Sequence, residues 1–281
     1  MKSSKLLKSF ESYGYVYLFW LIVFFLIPVL AILTYSFLTR DFQGGVRLQF
    51  SLKGYRDILN TTYLTVFLRT VFISLISSTL SIFVAIPVAY YIAYSRFKNF
   101  LLLLVIIPFW TNSLIRIYAW IFILGNNGLI NQTLLRLGII ESYIKFMYNN
   151  FAVVLVLLYT YLPFAILPLY SSIERLEKQI FEAALDLGCT KRQVFFKVLL
   201  PNIKQGIISA FVFVFIPAIG TYAVPELVGG KSSRLIGNEI ARQLTTAKNW
   251  PAAAAISSVL LVITIVAVLI FMYGGEKRET R

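Results

Sequence analysis

Histidine is absent from the chain and cysteine occurs once, at Cys189. A lone thiol rules out an intrachain disulfide, and with no imidazole there is no zinc site of the His/Cys kind. Histidine acid–base chemistry and Ser-His-Asp triads are excluded as well. Charge is also scarce, at 14% of 281 residues, where soluble domains carry about a quarter. Acids are the scarcer sign, with 12 Asp and Glu against 26 Lys and Arg. These absences speak against an enzyme. The net charge of +14 is not a nucleic-acid signal here, because the basic residues flank apolar runs. Anionic headgroups and the topology rule for Lys and Arg account for them, so lipid is the expected partner and nucleic acid is not.

Hydrophobic residues make up 59% of the chain, and they are concentrated in six runs long enough to cross about 30 Å of hydrocarbon. The runs are Tyr15–Leu38, Val66–Tyr94, Phe100–Leu124, Phe151–Tyr170, Asn202–Val224 and Pro251–Tyr273. The expectation is an all-α integral membrane protein forming one transmembrane domain over residues 1–281. Lys2, Lys5 and Lys8 precede the first run, Arg96 and Lys98 sit in a tight turn, and Lys277, Arg278 and Arg281 close the chain. With six crossings, all of these face the cytoplasm, both termini included. Short helices are expected near Leu52–Asn60 and Leu235–Leu244 in external segments, and Gly125–Asn150 is expected to be a polar external loop.

One polar stretch, Ser171–Pro201, lies between the fourth and fifth runs. Ser171 with Glu174 has the spacing of a capping box, and so has Thr190 with Gln193. Ile173, Leu176, Ile180, Ala183, Ala184 and Leu187 recur at helical spacing. Gly188 stands where a helix end favours a left-handed residue without Cβ, and Pro201 ends the second helix or opens the next. By itself the pattern predicts helix, sharp turn, helix at a membrane surface, which a connector lying on headgroups would also satisfy.

The residues carry more than the pattern. Glu182-Ala183-Ala184, three residues, Gly188, nine residues, then Val198-Leu199-Leu200-Pro201 resembles the EAA loop of bacterial ABC importer permeases. The one departure is Val198 in place of Ile. The resemblance implies a type I permease fold with this elbow as the cytoplasmic coupling helix between helices 4 and 5. It assigns Phe181, Glu182, Ala183, Ala184, Asp186, Gly188 and Pro201 to ATPase coupling. The implied partners are a second permease subunit, two copies of a cytoplasmic ATPase and an external substrate-binding protein, in the cytoplasmic membrane of a bacterium.

A second resemblance runs through Pro108-Phe-Trp-Thr-Asn-Ser-Leu-Ile-Arg116-Ile-Tyr118, Leu167–Glu174, Pro225–Gly230, Leu235–Asn238 and Asn249–Pro251. These segments are similar to the B-type permease subunit of spermidine/putrescine importers. Trp110, Asn112, Arg116, Tyr222 and Glu226 are the expected pathway residues. A charge inside an apolar run costs about 2.5–3.5 kcal/mol at mid-depth, so Arg116 either snorkels to the interface or lines the route. Glu226 with Tyr222 offers an ammonium group charge and a π-face, or is a loop carboxylate paired with Lys231 or Arg234. Gly229-Gly230-Lys231-Ser232 imitates the end of a phosphate loop, but Pro225 occupies the position of its first glycine. No cofactor is expected, and ATP would be bound by another polypeptide. A related importer branch for iron, sulfate or an organic anion, or a stand-alone secondary transporter, is the alternative.

Overall fold

The computed structural model describes residues 18–42 and 44–276; the basic N-terminal stretch and the basic tail lie outside them. Helix α1 spans Leu18–Ser36 and is followed by an antiparallel hairpin, β1 Leu38–Arg40 and β2 Val46–Phe50. Then come α2 (Lys53–Ile58), α3 (Thr61–Tyr94), α4 (Lys98–Trp110), α5 (Ser113–Leu124) and α6 (Leu129–Arg136). The long α7 (Asn150–Glu174) leads to α8 (Lys178–Asp186), then α9 (Lys191–Asn202) and α10 (Lys204–Gly220). Helices α11 (Ala223–Val228), α12 (Ile236–Thr245) and α13 (Trp250–Glu276) complete the order.

Among the described residues, five helices are long and apolar enough to cross a membrane: Leu18–Ser36, Thr61–Tyr94, Ser113–Arg136, Asn150–Glu174 and Trp250–Leu269. The pair Lys191–Asn202 and Lys204–Gly220, bent by 69°, makes a sixth. Helix α3, with 34 residues, is about 50 Å long at 1.5 Å per residue and overshoots the hydrocarbon.

Two expectations need correction, on the segment after Leu124 and on Ser171. The third run is interrupted at its proline and polar residues. Pro108 removes a backbone donor near the end of α4, Thr111 is extended, and the Asn112 side chain accepts from Leu114 N at 2.8 Å to start α5. The segment after Leu124 is not all loop, since it contains α6. Ser171 does not start a helix, because α7 runs through it to Glu174. The hairpin was not foreseen. The short helices at Lys53–Ile58 and Ile236–Thr245 fall where the sequence placed them.

Two prolines act alike. Pro28 and Pro201 each follow a five-residue π-helical stretch, Ile22–Leu26 and Phe195–Leu199, with one residue between. In each case the residue before proline donates five positions back, Ile27 to Ile22 O and Leu200 to Phe195 O. Widening the turn relieves the clash between the proline ring and the carbonyl four residues earlier.

The chain divides into two compact units, with boundaries at Leu64/Thr65, Asn238/Glu239 and Ile263/Thr264. In the unit holding the hairpin, Gly54 of α2 lies against Ala255 of α13, where a Cβ would sit 3.1 Å from the Ala255 methyl. Ser36 and Tyr55 share a hydroxyl hydrogen bond of 2.7 Å. Glu239 is buried there and accepts from Arg242 Nη2 at 2.6 Å and Gln243 Nε2 at 2.9 Å, while Gln243 also reaches Tyr63 Oη at 2.9 Å. In the other unit α7 and α10 approach so closely that a Cβ on Gly206 would overlap Ser172. Its core has two clusters. One joins Ala89, Leu169, Ile173, Phe181, Leu199 and Val214, and the other joins Ile73, Ile117, Val156, Leu157, Val224 and Leu235.

Candidate functional site

The elbow begins where α7 is stopped. Its apolar face continues to Ile173, and Tyr94 Oη donates to the carbonyls of Ile173 at 3.4 Å and Leu176 at 3.2 Å. Lys98 Nζ pairs with Glu174 Oε1 at 2.7 Å on the same end. Glu174 is therefore an ion-pair partner of the short turn after α3, and not half of a capping box.

Helix α8 buries one side chain. Phe181 is buried and meets Tyr90 and Tyr94 edge to face, with centroids 6.3 Å and 5.9 Å apart. Ala184 is half-buried on the same side, whereas Glu182, Ala183 and Asp186 are exposed, as are Ile180, Leu185 and Leu187. The expected coupling residues thus separate into an anchor, Phe181, and a face presented outward, Glu182, Ala183 and Asp186.

Gly188 closes α8 with φ +84°. Its N–H donates to Leu185 O at 2.9 Å and the Cys189 N–H donates to Ala184 O at 3.1 Å, which is the Schellman arrangement. A Cβ there would meet nothing within 4 Å, so conformation alone reserves the position for glycine. The Thr190–Gln193 capping box is formed: Gln193 N donates to Thr190 Oγ1 at 3.3 Å and Thr190 N to Gln193 Oε1 at 2.8 Å. Pro201, exposed, shapes the π stretch before the bend at buried Ile203. Beneath the elbow lies an apolar cavity of about 510 Å³ lined by Pro87, Tyr90, Phe181, Leu185, Phe195 and Leu199 among others. Nothing in the sequence announced the Tyr90–Tyr94 cradle, because its aromatics lie more than eighty residues from Phe181.

The expected pathway residues fall into two groups. Trp110 ends α4 and is 81% exposed, Asn112 is exposed in the break, and Arg116 is one turn into α5. The Arg116 guanidinium lies over the Phe109 ring, 5.1 Å from its centroid, and its Nε is buried with no hydrogen-bond partner among the described residues. Tyr222 and Glu226 form the second group at the start of α11, where Glu226 N donates to Tyr222 O at 3.1 Å. Glu226 Oε2 accepts from Asn238 Nδ2 at 2.7 Å, and the same amide donates to Tyr222 O at 3.1 Å. Asn238, not Lys231 or Arg234, is its partner, and the sequence did not single it out. Aromatic contacts through α7 lead from the first group to α10. Phe109 meets Phe164 at 5.0 Å, Phe164 neighbours Tyr161 at 6.3 Å, and Tyr161 Oη donates to Pro217 O at 3.3 Å.

Apolar helices long enough to span a membrane, two of them broken, joined by a polar, glycine-turned elbow, are the architecture of a multi-pass membrane protein. Residues 81–274 match the family of binding-protein-dependent transport system inner membrane components, and the chain belongs to that family. It is 39% identical over 254 residues to the spermidine/putrescine transport system permease protein PotB of Escherichia coli strain K12, covering 90% of this chain and 92% of that one. Against PotB of Haemophilus influenzae the identity is 40% over 256 residues, covering 90% and 89%. The inner membrane ABC transporter permease protein YdcU of E. coli is 30% identical over 261 residues, covering 88% and 83%. A chain of a bacterial alginate ABC transporter, solved with its alginate pentasaccharide-bound periplasmic protein, superposes with a TM-score of 0.79 at 15% identity, covering 98% and 96%. The fold is that of a type I ABC importer permease.

Proposed function

We propose that this permease forms half of the membrane route of an ATP-driven polyamine importer, with spermidine or putrescine as substrate. The observation that carries the substrate is its 39–40% identity, along 90% of its length, to permeases of spermidine/putrescine systems. In this reading a second permease subunit completes the route, and an external binding protein delivers the polyamine. Two copies of a cytoplasmic ATPase bind and hydrolyse ATP, and this chain itself is no enzyme. The termini and the elbow face the cytoplasm.

Coupling rests on the elbow. Phe181 fixes α8 to α3, so that Glu182, Ala183 and Asp186 present one surface to the ATPase, while Ala184 and Gly188 set its angle. The bend after Pro201 carries the movement into α10. Trp110, Asn112 and Arg116 line the route at the break between α4 and α5, and Tyr222 and Glu226 stand at its mouth. The Glu226 carboxylate, held by Asn238, attracts an ammonium group, and the exposed rings of Trp110 and Tyr222 supply π-faces. The near absence of acids within the spans suits passage, since a polycation bound tightly at mid-membrane would stall.

The test is uptake of labelled spermidine by cells dependent on this importer, competed by putrescine, sulfate and iron. Polyamine competition alone supports the reading. Competition by sulfate or iron, with none by polyamines, would move the chain to a related branch.

A further inference from the structure

Helix α5 has three faces. Ile117, Ile121 and Leu124 turn inward, while Leu114, Ile115, Tyr118 and Phe122 form an exposed apolar face. At about 100° per residue, Asn112 and Arg116 fall on a third face, away from both. Thr111 and Asn112 are exposed and lie in extended backbone between two apolar helices. Irregular backbone at membrane depth is tolerated only where it is buried in protein or lines a water-filled cavity, so this break borders one of the two. Arg116 stands on this face, one turn from exposed Asn112, with one full positive charge that no carboxylate neutralises among the described residues.

Two further observations concern how that charge is held. The guanidinium lies over Phe109, the residue just before the break, at 5.1 Å from the ring centroid. Its Nε is buried and lacks a hydrogen-bond partner among the described residues. Phe109 is in turn braced edge to face by Phe164 of α7. A charge kept in an apolar span, on a braced ring, without an ion pair, is poorly explained by structural need, because a neutral side chain of that size would cost less. Its value is its field.

Taking the polyamine route as given above, we infer that Arg116 is a cation barrier. In the resting protein its guanidinium occupies the Phe109 face, a π-face that a cation would otherwise take, and repels K⁺, Na⁺ and other small cations from the route. A positive residue at a constriction excludes small cations in just this manner. A polyamine presents several ammonium groups, so one of them can take the Phe109 ring while the guanidinium swings aside. A monovalent ion has no second charge with which to repay that exchange. The same residue thus separates the cargo from the ions that would otherwise dissipate the membrane potential.

The test uses the complex purified through a tag on this chain and reconstituted into K⁺-loaded vesicles of bacterial phospholipid, with K⁺ and Cl⁻ efflux followed separately. Wild type and Arg116→Lys should hold both ions. Arg116→Gln should release K⁺ faster by about tenfold or more, equivalent to about 1.4 kcal/mol of lost barrier, with Cl⁻ unchanged. Arg116→Met serves the same comparison if the Gln variant does not assemble. K⁺ retention by the neutral variants overturns the barrier, and so does equal loss of K⁺ and Cl⁻, which would mean loosened packing. Ion efflux is measured without polyamine, so a K⁺-selective leak in a complex that takes up no polyamine keeps the barrier and removes the polyamine reading. Normal polyamine uptake by a tight Arg116→Gln complex does the reverse.

Discussion

Tyr94 and Phe181 stand edge to face, their ring centroids 5.9 Å apart, and the same tyrosine hydroxyl donates to Ile173 O at the end of α7 and to Leu176 O just after it. One residue at the end of α3 therefore sets both where α7 stops and where α8 is pinned. Tyr94 thus touches both α7 and α8, and Tyr90, one turn earlier on α3, meets Phe181 from beside it. Edge-to-face pairs of this kind add about 0.5–1.5 kcal/mol beyond burial.

Phe181→Ala should release α8. Truncating a buried phenylalanine costs about 3–5 kcal/mol, and here the loss falls on the elbow, since the hydrophobicity of the spans is untouched. The variant should reach the membrane in normal amount yet unfold at lower temperature and retain little ATPase on purification. Phe181→Leu, which keeps most of the buried volume, should lose far less.

Glu226→Gln should lower polyamine uptake at limiting substrate and leave assembly intact, because the amide can still accept from Asn238 while the charge is gone. Unchanged uptake would return Glu226 to the ordinary loop carboxylates.

Glu239 gives a pH prediction. Burial pushes its carboxyl up, but hydrogen bonds from Arg242 and Gln243, the Arg242 charge and the Tyr63 hydroxyl outweigh burial and hold it below its ordinary 4.5. The charged form therefore favours folding above that value, and the contribution is lost as pH falls through the lower folded-state value. Thermal unfolding of wild type should lose more between about pH 5 and pH 3 than that of Glu239→Gln. Parallel curves would show that the carboxylate adds nothing.

For topology, cysteines placed on a Cys189→Ser background at Ser95 and at Asn127 should label from opposite sides of the membrane, Ser95 from the cytoplasm. Labelling from one side would refute the six-crossing arrangement.

The sequence displays what depends on local rules. The Thr190–Gln193 box, the left-handed turn at Gly188 and the short helices at Lys53–Ile58 and Ile236–Thr245 each follow from residues within one or two turns, and each formed. Ser171 with Glu174 had the same local credentials and failed, because burial of Ile173 carried α7 onward. Tertiary packing overrode a capping signal worth about 1 kcal/mol. Asn238 beside Glu226, and Phe109 beneath Arg116, were not legible for a related reason. The Asn238 pairing is set by how α11 and α12 fold back on each other, and the Phe109–Arg116 pairing by the extended break at Thr111–Asn112.

In the proposed coupling the elbow is the docking element for the ATPase. Gly188→Val puts a branched Cβ at φ +84°, where left-handed geometry costs about 1–2 kcal/mol, and should turn α8 away. Glu182→Lys keeps the helix but reverses an exposed charge. The decisive measurement is co-purification of the ATPase with each variant, at matched amounts of permease in the membrane. The account predicts that both variants lose the ATPase, and uptake with it. Normal ATPase recovery and uptake in both would contradict it, leaving the elbow a surface connector.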